Sequence, residues 1–292
     1  MTNETTQKGR LVMAIVAVIV GLFMLVASPF ISMQALTPAL HNLVEVHQVQ
    51  QPDGVWDTPV KILTATFHVW IALFVFGGAT LIIIAKDIYA DKKWARPLAL
   101  TMLALPSMGG MTMVIPWMVL VWSDALGNKV SSGMPAAMPI MLIGLVGYFI
   151  VLLTEKSDAK TKIAQTITFG ALGVVGGMVF MNAQHGVRHF LTKGPFYAAS
   201  ESNPELFLGG FVMYAAVALF FVAIYLMAAR KESGWYFAMI TGLVTFMAAF
   251  LAFVDRYNVP SGQEWLRGAM LSAVFIAIIA LPWFKKRIYG EA

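Results

Sequence analysis

The chain has 292 residues, of which 59% are hydrophobic and only 12% charged, with mean hydropathy +0.75. Soluble domains carry about 25% charged residues, so a water-soluble fold of this length could not hide this much apolar surface. The absence of cysteine excludes disulfides, iron–sulfur clusters, thiolate metal sites and cysteine nucleophiles. The net charge of +5 sits between the hydrophobic runs, where membrane topology accounts for it, so no nucleic-acid partner is expected.

The polar tail of residues 1–10 precedes an apolar run, Leu11–Met33. That run is long enough to span a bilayer, which needs about 20 residues. No convincing small-residue cleavage site follows it, so it reads as a retained first helix and not as a signal peptide. Further apolar runs follow at 62–85, 97–122, 136–154, 163–184, 206–229, 235–254 and 266–284. None alternates with period two, which disfavours a β-barrel. Backbone groups in hydrocarbon need internal partners, which leaves helices. The expected fold is therefore an all-α integral membrane protein with eight transmembrane helices.

Orientation follows from lysine and arginine, which concentrate in cytoplasmic loops. With the N-terminus inside, the inner segments collect most of the 20 basic residues. They include Lys86, Lys92, Lys93 and Arg96, then Lys156, Lys160 and Lys162, then Arg230 and Lys231, then Lys285, Lys286 and Arg287. The outer segments hold only Lys61, Lys129, Arg188, Lys193, Arg256 and Arg267. Both termini are expected in the cytoplasm of a multi-pass inner-membrane protein.

The expected organisation is a tail at 1–10, a four-helix half at 11–154, a linker at 155–162, a second four-helix half at 163–284 and a tail at 285–292. The halves share a plan. Helices 1 and 5 each precede a long outer loop, at 34–61 and 185–205. The turn after helix 3 begins at Asp124 and ends in Ser132-Gly133, and the turn after helix 7 begins at Asp255 and ends in Ser261-Gly262. Four helices per repeat give the two repeats the same orientation, related by an axis along the membrane normal.

All five histidines fall on the outer side. His41 and His47 lie in the first outer loop. His68 lies about two turns inside helix 2, where an ionisable group is costly to bury and is a functional candidate by default. His185 and His189 are four apart, so they share a face if helix 5 runs on for another turn, although Gly186 is a poor helix residue that could break it. His41, His47, His185 and His189 are candidate metal ligands. His68 with His185 or His189 could supply axial imidazoles to a haem b, or each can be a polar group bonded locally. Methionines on helices 3 and 4, among them Met108, Met113 and Met141, could bind copper as thioethers or serve as flexible apolar filler. Asp124 and Asp255 occupy matching outer helix ends and are candidate proton-transfer groups. Pro106, Gly109, Gly110 and Pro116 predict a kinked helix 3, and Gly173, Gly176 and Gly177 predict a close helix contact on helix 5. No acid or lysine lies near the centre of a span, which weakens ion-coupled transport.

The 4+4 plan with long outer loops after helices 1 and 5 is similar in layout to haem A synthases. That family places histidines in helices 2, 4, 6 and 8. Only His68 has a counterpart here and the family's Cys-containing outer loop is absent, so no functional residue carries over. The leading expectation is a redox or haem/metal-binding membrane subunit with its site near the outer face, in contact with lipid and with other membrane or periplasmic subunits. The alternatives are a small-molecule permease or channel, and a non-catalytic scaffold subunit.

Overall fold

A computed structural model describes residues 6–50, 52, 57–118, 121, 133–193, 204–258 and 262–290. Among these every regular element is helical. The elements are α1 (Gln7–Leu22), α2 (Ser28–His41), α3 (Gln48–Gln50), α4 (Asp57–Tyr89), α5 (Ala95–Trp117), α6 (Met138–Leu153), α7 (Ala159–Lys193), α8 (Pro204–Ala228), α9 (Glu232–Asp255), α10 (Gly262–Ala280) and α11 (Pro282–Tyr289). Among the described residues seven helices are long and apolar enough to cross a membrane, the first running through Gln7–Val46. The apolar α6 is shorter, at 16 residues. This is the architecture of a helical, multi-pass membrane protein.

The first helix departs from expectation. Residues 34–50 continue as helix, where an outer loop was expected, through π-helical segments at Phe23–Ala27 and Asn42–His47. The segment has helix formers and no glycine, and wider turns accommodate interruptions such as Pro29 and Pro38. The Ser28 hydroxyl donates to the Phe23 carbonyl at 3.2 Å and so occupies an acceptor beside the first wide turn. Likewise α7 does not stop at Gly186 but runs to Lys193. Pro106 and Pro116 both lie within the continuous helix α5.

The chain packs as two compact units. One comprises Val16–Ile84 and Met102–Tyr148. Here Gly21 and Gly78 bring two helix backbones together: a Cβ on Gly78 would lie 2.6 Å from the Gly21 carbonyl oxygen. A Cβ on Gly144 would lie 2.6 Å from the Ser107 nitrogen, so α6 crosses α5 at backbone contact. Small residues permit such approach in membrane helices. Met108 and Met113 are buried with the apolar core of this unit.

The other unit comprises Met1–Ile15, Ala85–Thr101 and Phe149–Ala292. In it α8 packs on α7 and α9, α9 on α10, and α10 back on α7, which closes a four-helix ring. Of the three glycines expected at a close contact on α7, Gly176 and Gly177 are buried, while Gly173 has nothing within 4 Å of a built Cβ. Close approaches also lie at Gly210 against the Gly186–Val187 backbone and at Gly268 against Asn182.

Two turns in this unit are alike. After α4, Asp91 (φ 59°) and Lys92 send their N–H groups back to Ile88 and Asp87. After α8, Arg230 (φ 58°) and Lys231 send theirs back to Met227 and Leu226. Both are Schellman stops with a non-glycine residue in the left-handed position. The buried positions leading into them also match in spacing: Leu81, Ile84, Ala85 and Ile88 correspond to Phe220, Ala223, Ile224 and Met227.

Arg230 reaches from its turn to the carboxylate of Glu155 and to the Ile288 carbonyl. Glu155 also takes Arg96 at 2.9 Å and the Gln165 amide at 3.3 Å, and its side chain is 2% exposed. Arg96 donates in addition to the Leu152 carbonyl at 3.1 Å. One buried carboxylate thus ties together the starts of α5 and α7, the ends of α6 and α8, and α11. Nearby, Asp158 caps α7 by accepting from the Thr161 N–H at 2.7 Å, and meets Arg287 at 3.4 Å.

Glu155→Ala should lose about 3–5 kcal/mol of stability, because it strands two guanidiniums, while Glu155→Gln should lose less. Thermal melts of the purified protein check the order. The Asp158 carboxyl is held below its ordinary range, foremost by the Thr161 N–H and further by Arg287, against an opposing desolvation. Its contribution is present above the unfolded aspartate range and is lost as pH falls through the depressed folded value. Asp158→Asn, which preserves the cap, should therefore flatten the acid limb of the melting temperature against pH.

Candidate functional site

The end of the ring where α7 finishes and α10 begins carries the cross-helix polar chemistry. His185 and Arg188 lie one turn apart on α7, facing Glu264 and Trp265 on the first turn of α10. His185 Nδ1 is 2.7 Å from Glu264 Oε2, and the histidine side chain is 12% exposed against 50% for the glutamate. Arg188 Nη2 donates to His185 Nε2 at 3.5 Å. Both contacts are satisfied together by one neutral tautomer, with the proton on Nδ1 donated to the carboxylate and the Nε2 lone pair facing the guanidinium. The negative Glu264 and the positive Arg188 balance, so the imidazole sits in a locally neutral pair of charges. The ring also lies beside Trp265, with centroids 5.7 Å apart.

One turn deeper, Asn182 on α7 meets α10 at Gly268. A Cβ there would lie 2.0 Å from Asn182 Nδ2, so only a glycine admits the amide. Deeper still, Thr245 on α9 and Ser272 on α10 hydrogen-bond at 3.2 Å, both fully buried. A polar seam therefore descends from the end of the ring into its interior.

The remaining expected residues are placed as follows. His68 lies on the exposed face of α4, and its Nδ1 is 2.8 Å from the Thr64 carbonyl. As a donor there, Nδ1 leaves Nε2 as the basic nitrogen pointing away from the backbone bond. His41 is exposed and meets Glu45, four residues on, at 3.2 Å. His47 ends the second π-helical segment. His189 follows His185 by four residues on the unbroken helix α7, which puts the two positions on one face. Asp255 is the exposed last residue of α9. Asp124 lies outside the described residues. Among the described residues no three His, Asp or Glu side chains gather as a metal-binding group.

Compared with family models, curated proteins and solved structures, the chain matches none. Sequence reading brought out His185 but not its partners. Glu264 is 79 residues away, one of several outer carboxylates with no local signal to single it out. Asn182 and Trp265 read as ordinary helix and interface residues until α7 and α10 are packed together.

Gly268→Ala should cost about 1–3 kcal/mol, because the new methyl displaces a buried amide. Glu264→Gln should cost about 1 kcal/mol, as the carboxylate is half exposed. Melting curves of the two variants check this ranking.

Proposed function

We propose that the protein is a redox subunit of the inner membrane with both termini in the cytoplasm. Its outer end of the α7–α10 ring exchanges protons with a redox group. The observation that carries this is His185 held between Glu264 and Arg188. The carboxylate fixes the tautomer and supports the imidazolium when it forms, as in carboxylate–histidine pairs that move protons. The guanidinium beside Nε2 places a positive charge where a metal cation would have to bind, which disfavours metal ligation at His185. The two matched Schellman stops, with matched buried positions before them, support a chain built from two four-helix repeats of like orientation.

A second reading concerns haem. His68 carries the arrangement that haem-ligating histidines use, with one ring nitrogen donating to a carbonyl and the other available. Its exposed face would put a haem b at the surface of its helix, against lipid or a neighbouring subunit.

Two measurements test these readings. The natural chain lacks cysteine, so single cysteines report topology cleanly. Asn258→Cys should react with an impermeant maleimide in intact cells, and Lys156→Cys only after permeabilisation; the reverse pattern sinks the orientation. For the redox reading, the purified protein should show an optical change on reduction, with a midpoint potential that falls by about 59 mV per pH unit where one proton follows one electron. His185→Gln should flatten that slope. A Soret band abolished by His68→Ala would establish the haem, and a protein with no reducible group would overturn the redox function.

A further inference from the structure

The seam beneath His185 holds two hydrogen-bond donors with no acceptor among the described residues: Asn182 Nδ2 and Trp265 Nε1. Asn182 is 2% exposed and Trp265 is fully buried. An unpaired buried donor costs about 1–3 kcal/mol, and native proteins leave few of them without reason. An indole N–H can only donate, so reassigning the Asn182 amide does not remove the demand for an acceptor. The hydroxyls paired deeper in the seam do not meet it. Thr245 is bonded to the Gly242 carbonyl at 3.0 Å and to Ser272 at 3.2 Å.

The two donors belong to one place. Asn182 is one turn from His185 on α7, Trp265 is one turn from Gly268 on α10, and Asn182 touches Gly268. The helices run antiparallel here, so the donors are about one helical turn apart, roughly 5 Å. The His185 ring and the Trp265 indole supply flat aromatic surface next to them. Glu264 and Arg188 cancel beside His185, and a carboxylate already stands there, so an arriving anion gains little. The acceptor that fits is neutral.

We propose that the α7–α10 seam is a binding subsite for the carbonyl oxygen of a neutral, planar, lipid-soluble molecule of the quinone class. Asn182 and Trp265 donate to one carbonyl, and Gly268 makes room for the amide that does so. The subsite rests on the redox reading of His185 for its purpose, but binding is measured without turnover, so the two can fail separately.

The test is equilibrium binding of a short-tailed benzoquinone to the full chain in lipid nanodiscs, with empty nanodiscs correcting for partition. Saturable binding to the wild-type protein is expected. Trp265→Phe keeps the ring and removes the N–H, and should weaken binding about tenfold, the loss of one good hydrogen bond. Asn182→Leu should do the same, and a melting curve for each variant confirms that it folds. Asp158→Asn, at the opposite end of the ring, should bind as the wild type does. Absence of saturable binding, which would leave ordered water as the acceptor, overturns the proposal. So does binding that is unchanged in both Trp265→Phe and Asn182→Leu.

Discussion

Hydrocarbon offers a backbone N–H or carbonyl nothing to bond with, and each unpaired group costs several kcal/mol there. Among the described residues every long apolar run is accordingly helical. Many of the hydroxyl side chains follow the same rule on a smaller scale. Thr37, Thr80, Thr101, Ser107, Thr166 and Thr241 each donate to the carbonyl four residues back, so they are satisfied within their own helix. Polar groups that reach across to another helix stand out against this background. They are few, and in the unit that contains α7–α10 they gather at the two ends of the ring and along one seam.

The two ends differ in kind. At one, Glu155 is closed off by two guanidiniums and an amide, and its side chain is almost wholly buried. Such a cluster costs desolvation and returns specificity, since breaking it strands charge. At the other end the carboxylate of Glu264 is half exposed, so the His185 pair stays within reach of water. The rise of α7 from Gln165 to His185 is about 30 Å, the thickness of a hydrocarbon core. The helix therefore carries a sealed charge cluster near one membrane face and an accessible one near the other. The first suits holding helix ends in register; the second suits passing a proton.

Much of the architecture was legible before any packing was known. Apolar runs long enough to span, broken by basic segments, sufficed for an all-helical membrane fold, because length and polarity are local properties. Helix ends were less legible. Residues 34–50 and 185–193 are polar enough to read as loops, yet they continue as helix, because helix propensity and neighbouring turns decide a boundary more than hydropathy does. Glycines are likewise graded by packing and not by composition. A small residue permits close approach, but Gly173 faces open space while Gly210 and Gly268 meet their neighbours.

The histidine at the candidate site is legible in the sequence as one of five that the charge pattern assigns to the outer side, and so is its spacing from His189. Its meaning was not. The amino-acid sequence by itself determined that the chain is helical, apolar and multi-pass, because those follow from the free energy of each segment against its solvent. Only the tertiary structure decided that Glu264 meets His185, that Asn182 lies against Gly268, and that Glu155 gathers Arg96 and Arg230. These are pairings between residues far apart along the chain. Each depends on how two helices are rotated and staggered against one another, and no local pattern of residues encodes that.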